Sequence, residues 1–210
     1  MGRFLDFEGV DAVLFDCDGV LVDSEPVSEW AWRTALAEYG IDLGDFSAWV
    51  GTTDESIAVR YAAEAGVSPA VLADRAADFL LTGLAESPLE VFPDATKALE
   101  QVEGSTLSTA VVTNSESWRL DAILTSAGLA DRFRIRVTSD DVTHPKPEPD
   151  IYLLAARLLG TDPSRCLVIE DSPTGVASAR AAGMRVVAVD RGVFGSAALQ
   201  AATRVVSSLI

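Results

Sequence analysis

Four stretches of four to six residues, 10–15 (VDAVLF), 109–112 (TAVV), 166–169 (CLVI) and 184–189 (MRVVAV), are rich in β-branched side chains and almost continuously apolar. A strand with one wet face alternates polar and apolar residues, so continuous runs of this length read as strands covered on both faces, the habit of a parallel sheet. The intervals between the later stretches carry helical patterns with recognisable ends. Residues 149–159 are closed by Gly160 and residues 174–182 by Gly183, which fits the glycine that commonly follows a helix. Strand, helix and strand in alternation predict right-handed βαβ units and an α/β fold.

The interval from about 24 to 87 breaks that rhythm, because it holds helical patterns and no convincing strand. One helix is expected near 27–39, before Gly40, and a second from Thr52, whose spacing to Glu55 fits a capping box, to Gly66. A third opens at Ser68-Pro69. The chain therefore divides into a Rossmann-like parallel-sheet core formed by 1–23 and 88–210 and an inserted all-helical domain, 24–87. The insert leaves after the first strand and returns through 88–93, at the edge where open α/β sheets hold their ligands.

Charge narrows the partners. With 32 acidic and 16 basic residues the 210-residue chain has a formal charge of −16, which repels a nucleic-acid backbone and argues against that partner. No apolar run approaches the ~18 residues of a membrane span, and the first ten residues lack the features of a secretory leader. A cytoplasmic protein without membrane attachment is the expectation. Cys17 and Cys166 lie in or beside apolar segments, where reduced buried thiols are expected.

The chemistry-bearing residues gather at predicted strand ends. The first strand runs into Asp16-Cys17-Asp18-Gly19-Val20, and the third strong stretch into Glu170-Asp171-Ser172. Carboxylates at the ends of buried strands are costly to desolvate unless a cation is present. An all-oxygen set without histidine suits Mg²⁺. Thr113-Asn114-Ser115 follows the second strand, and Lys146 stands in His144-Pro145-Lys146-Pro147-Glu148-Pro149. Hydroxyl, backbone N–H and ammonium groups all bind phosphate, and the prolines reduce the cost of ordering the lysine loop. An anionic ester can thus enter an acidic protein where a metal ion and a lysine reverse the sign locally.

Residues 16–20, Thr113-Asn114, Lys146 and Glu170-Asp171 resemble, in order and spacing, the four motifs of the haloacid dehalogenase superfamily. Asp23-Ser24-Glu25-Pro26 and the helical insert are similar to the branch that includes β-phosphoglucomutase, phosphoglycolate phosphatase and small sugar-phosphate phosphatases. The resemblance implies a Mg²⁺-dependent phosphatase in which Asp16 is the nucleophile, Asp18 the general acid and base, and Lys146 a charge partner. It implies a metal held by the Asp16 carboxylate, the Asp18 backbone carbonyl and Asp171, with Glu170 acting through water. Thr113 and the Asn114 backbone would hold the phosphoryl group of a small phosphorylated metabolite. Glu25, Thr52 and Thr53 in the cap would touch the leaving group, Thr52 and Thr53 belonging to the loop Val50-Gly51-Thr52-Thr53 after Trp49. A monomer is the default for a capped enzyme complete in one chain.

The chain departs from the mutases. Ser28 stands where they carry a histidine, and Asp54 where they carry an arginine that grips a second phosphate. A β-phosphoglucomutase-like mutase is therefore the second reading, and a non-catalytic receiver-like protein phosphorylated on Asp16 the third. His144 has no family role, and Trp30, Trp32 and Trp118 are assigned to packing.

Overall fold

A computed structural model of the chain describes residues 5–50 and 52–210, so the reading of residues 1–4 and of Gly51 in the cap loop lies outside the described residues. Among the described residues the strands are β1 (Ala12–Phe15), β2 (Ser108–Val112), β3 (Ile135–Val137), β4 (Cys166–Glu170), β5 (Arg185–Val189) and β6 (Arg204–Val206). They form one sheet in the order β3-β2-β1-β4-β5-β6, and every adjacent pair is parallel. The α/β parallel-sheet fold expected from the apolar runs is the fold found. All four residues of β1 are buried, as are all five of β4, which is why their sequences show no alternation.

The order of the strands determines where a ligand belongs. From β1 the chain moves outward through β2 to β3, then crosses back to β4 and continues to β6 on the other side. The direction of winding reverses between β1 and β4, and at such a switch point the connecting segments diverge and leave a crevice beyond the strands' carboxyl ends. Phe15 pairs with Ile169 in that register, so Asp16 and Glu170 leave the sheet side by side.

The helices of this unit are α4 (Pro93–Glu103), α5 (Ser117–Ser126), α6 (Asp150–Leu159) and α7 (Pro173–Ala181). One apolar cluster joins Leu14, Ala110, Val112 and Val168 of the sheet to Ile151, Tyr152 and Ala155 of α6 and Val176 and Ala179 of α7. Phe15 meets Phe133 edge to face with ring centroids 6.1 Å apart. No helix among the described residues is long and apolar enough to cross a membrane.

The chain separates into two units, residues 1–23 with 90–210 and residues 24–89. In the second, α1 (Glu25–Ala37), α2 (Asp54–Ala65) and α3 (Pro69–Glu86) surround a core of Trp32, Leu36, Phe46, Ile57, Tyr61 and Leu72. Helices α1 and α3 approach so closely at Gly83 that a Cβ there would lie 2.8 Å from Val27 Cγ2. Ser68 caps α3 by accepting from Val71 N, and α2 ends at Gly66 with φ +71°, a left-handed cap for which glycine has no steric penalty. The start of α2 differs from the sequence reading. Thr53, not Thr52, is the N-cap, and its hydroxyl accepts from Ser56 N at 3.2 Å. Thr52 instead donates its hydroxyl to the Trp49 carbonyl, and the cap falls one residue later than its spacing to Glu55 suggested.

Candidate active site

Asp16 immediately follows β1, Glu170 is the last residue of β4 and Asp171 follows it. Each offers a carboxylate oxygen within 4.8 Å of the other two. Lys146 reaches the same point from the loop before α6. Its Nζ donates to Asp16 Oδ1 at 2.6 Å, Glu170 Oε1 at 2.7 Å and the Val112 carbonyl at 3.0 Å, which uses all three ammonium protons. Asp16 and Lys146 are each 7% exposed and Glu170 is fully buried.

Glu170 is held from every side. Oε1 accepts from Lys146 and from the Tyr152 hydroxyl at 2.9 Å; Oε2 accepts from Asp171 N, Ser172 N and Ser172 Oγ at 3.0 to 3.1 Å. Gly175, in the first turn of α7, leaves room for it, since a Cβ there would stand 1.6 Å from Oε1. The Lys146 ammonium also lies 5.0 Å from the centre of the Tyr152 ring. Tyr152 carries no signal in the sequence beyond its apolar position on α6, and only the fold reveals its bond to Glu170.

Asn114 and Lys146 support each other. Asn114 Oδ1 accepts from Lys146 N at 2.9 Å, and Nδ2 donates to the Lys146 carbonyl at 3.0 Å. The side chain therefore holds the lysine loop. Thr113 is buried, and its hydroxyl accepts from Ser115 N at 3.0 Å. Asp18 lies on the loop after β1, where its Oδ2 accepts from Ser115 Oγ at 3.2 Å. Gly19 follows with φ +77°, and a Cβ there would come within 2.0 Å of Asp171 Oδ2. Only glycine allows that backbone to pass the carboxylate.

One ammonium among three carboxylates, Asp16 and Glu170 buried and Asp171 half-buried, leaves a negative excess. Burial pushes Asp16 well above the usual carboxylate range, with Glu170 and Asp18 adding repulsion, although Lys146 opposes the rise. Asp171 is pushed up to about 9 by burial and then by the charges of Glu170 and Asp16. Burial would raise Glu170 too, but Lys146 and its hydrogen bonds prevail and hold it below its ordinary value. Burial works against the charge of Lys146, yet Asp16 and Glu170 outweigh it and keep the ammonium protonated. The repulsion falls on Asp16 and Asp171, whose carboxyl oxygens lie within 4.8 Å of one another, and such a set of hard oxygen donors fits a divalent ion of the Mg²⁺ kind, which would displace their protons.

Of the remaining predicted positions, Glu25 opens α1, while Thr52 and Thr53 precede α2 as described; all three belong to the second unit. Asp54 Oδ1 accepts from Trp32 Nε1 at 2.7 Å. Cys17 and Cys166 are buried free thiols, as expected from their apolar surroundings.

Acid-tipped strands at a switch point, a lysine bound between two of the acids and a neighbouring aspartate on the first loop mark the site of a hydrolase. The chain belongs to the haloacid dehalogenase-like hydrolase family, whose family model matches residues 10–183, and with named phosphatases among its relatives it is an enzyme of the phosphatase kind. It is 35% identical over 189 residues to fructose-1-phosphate phosphatase YqaB of Escherichia coli, covering 87% of this chain and 98% of that one. Hexitol phosphatase A, also of Escherichia coli, is 36% identical over 181 residues, 84% of this chain and 82% of that protein. The chain also matches Protein SUPPRESSOR OF QUENCHING 1, chloroplastic, of Arabidopsis thaliana at 35% identity over 191 residues, 88% of this chain but only 18% of that much longer protein. Among solved structures, CbbY from Rhodobacter sphaeroides in complex with phosphate shares the fold with a TM-score of 0.85 at 23% identity, over 95% of each chain.

Proposed function

We propose that this enzyme hydrolyses small sugar or polyol phosphate monoesters with Mg²⁺, through a phosphoryl group carried on Asp16. The observation that carries the reading is the Asp16–Lys146–Glu170 cluster beside Asp171 at the switch point. The resident ion would be held by the Asp16 carboxylate, the Asp18 backbone carbonyl and Asp171, and would supply positive charge against the phosphoryl oxygens. Glu170 would act from further out, through water, because five donors already occupy its two oxygens.

In the first step an Asp16 carboxylate oxygen attacks phosphorus and the bond to the leaving alcohol breaks, its oxygen taking a proton from Asp18. In the second, water attacks the same phosphorus, Asp18 accepts the proton and the bond to Asp16 breaks, releasing phosphate. Lys146 faces the charge that gathers on the phosphoryl oxygens in both steps. The Thr113 hydroxyl accepts from Ser115 N, which leaves its own proton for a phosphoryl oxygen, and the Asn114 N–H is the second donor proposed there.

The substrate class follows from relatives named as phosphatases of fructose 1-phosphate and hexitols. The mutase reading is disfavoured by Ser28 and by Asp54, an acid already bonded to Trp32 where a phosphate-gripping arginine would be needed. The test is phosphate release from a panel of sugar phosphates, polyol phosphates and phosphoglycolate with Mg²⁺, for wild type and Asp16→Asn. The variant should lose on the order of 10⁴-fold or more in turnover. Wild-type turnover by Asp16→Asn refutes the nucleophile, and glucose 6-phosphate formed from glucose 1-phosphate with a bisphosphate primer favours the mutase.

A further inference from the structure

Arg191, on the loop after β5, reaches back to the loop after β1. Its Nε donates to the Gly19 carbonyl at 3.1 Å and its Nη2 to the Val20 carbonyl at 3.4 Å. The same guanidinium binds Asp94 with both ends, Nη1 to Oδ2 and Nη2 to Oδ1, each at 2.9 Å. Its face lies 4.0 Å from the centre of the Phe92 ring. Asp94 is buried in the first turn of α4 and also accepts the backbone N–H groups of Ala95 and, at 2.9 Å, of Leu209 beyond β6.

Two aspects of this arrangement bear on Asp18. The first is that Gly19 is confined on both sides: Asp171 leaves no space for a side chain at its Cα, and Arg191 holds its carbonyl. The second is that Arg191 is itself fixed before it acts, because a bidentate carboxylate and an aromatic face leave a guanidinium little freedom. The Asp94 pair orients the arginine, and the arginine orients the backbone on which Asp18 sits.

We infer that Arg191, locked by Asp94 and Phe92, is a positioning residue that sets the aim of Asp18 as proton donor to the leaving group. This rests on the phosphatase reading above and adds to it a distant residue that touches neither substrate nor ion.

Protonation of the leaving oxygen matters for an alkyl ester and hardly at all for an aryl ester whose phenolate departs unaided. The loss of Arg191 therefore discriminates between leaving groups, whereas loosening of the fold does not. The value to measure is kcat/KM at saturating Mg²⁺, which reports only the steps through departure of the leaving group, for p-nitrophenyl phosphate and for the alkyl phosphate of highest turnover in the panel. In Arg191→Gln, kcat/KM falls about 30-fold or more on the alkyl ester, a large part of the 10²- to 10⁴-fold typical of general acid catalysis, and at most about threefold on the aryl ester. Arg191→Lys keeps a cation beside Asp94 and hence the fold, but one ammonium cannot span the carboxylate and two carbonyls, so it shows the same selectivity. Placed in Asp18→Asn, neither substitution changes the alkyl-to-aryl ratio further. Equal losses on both esters, or a further change in that ratio without the Asp18 carboxyl, overturn the inference while the phosphatase reading stands. A wild-type enzyme that releases phosphate from neither ester removes that reading and the inference with it.

Discussion

In the first unit Lys146, Asp16 and Glu170 are buried, every ammonium proton has an acceptor, and two glycines stand where a methyl group would strike a carboxylate. In the second unit Thr52 and Thr53 before α2 are exposed, and their hydroxyls bond within the local chain: Thr53 caps α2, and Thr52 closes a turn onto Trp49. One region fixes side chains by charge in a low-dielectric interior, where each partner's loss leaves another unpaired. The other fixes its backbone with local bonds and leaves side-chain identity loosely constrained. The buried cluster is therefore the region less tolerant of substitution, and the exposed loop before α2 the more tolerant one.

The strongest blow to that contrast is Glu170→Gln. In either orientation the amide NH₂ faces donors, Lys146 and Tyr152 on one side or the Asp171 and Ser172 N–H groups on the other. Breaking one partner of a buried ion pair costs about 3–5 kcal/mol, and relief of repulsion at Asp16 and Asp171 lowers that only in part. Urea unfolding should show a loss near the bottom of this range, about 3 kcal/mol. A loss under about 1 kcal/mol would mean that the network does not hold the site.

Asp171→Asn tests the charge excess. Because the folded-state value of Asp171 is raised to about 9 from 3.8, the unfolded chain gives up its proton first, and the metal-free protein loses stability as pH climbs from about 4 towards 9. Asparagine removes that slope, so the variant's melting temperature should vary less with pH. Mg²⁺ should raise the wild-type melting temperature, more at pH 8 than at pH 6 since the ion displaces a proton, and should leave Asp171→Asn nearly unmoved. An equal Mg²⁺ response in the variant would place the ion elsewhere.

The same contrast governs what could be read without the fold. Strands β1, β2, β4 and β5 were legible because burial on both faces writes itself as an apolar run. Strands β3 and β6 were not singled out: each has three residues, at a sheet edge, and each includes an arginine, Arg136 and Arg204. The acids and the lysine were legible because costly groups at strand ends demand a reason. Tyr152 and Arg191 were not, since a tyrosine on an apolar helical face and an arginine in a loop have ordinary explanations, and their partners lie 18 and 97 or more residues away in sequence. The family resemblance supplied order and roles for the motifs, but it says nothing of the bonds that hold them.

The smallest effect sharpens the comparison from the other side. If the Thr53 hydroxyl only caps α2, Thr53→Ala should cost about 1 kcal/mol, Thr53→Ser should cost little because its oxygen still reaches Ser56 N, and neither should reorder the enzyme's preference among phosphate esters. If Thr53 also touches the leaving group, as its position in the sequence suggested, Thr53→Ala should shift kcat/KM between sugar and polyol phosphates by more than its modest and uniform effect on stability accounts for. Paired unfolding and phosphate-release measurements on the two variants separate these outcomes. Because the capping bond is local and exposed, a change in ester preference there would come from contact with substrate and not from disturbance of the buried Asp16–Lys146–Glu170 cluster.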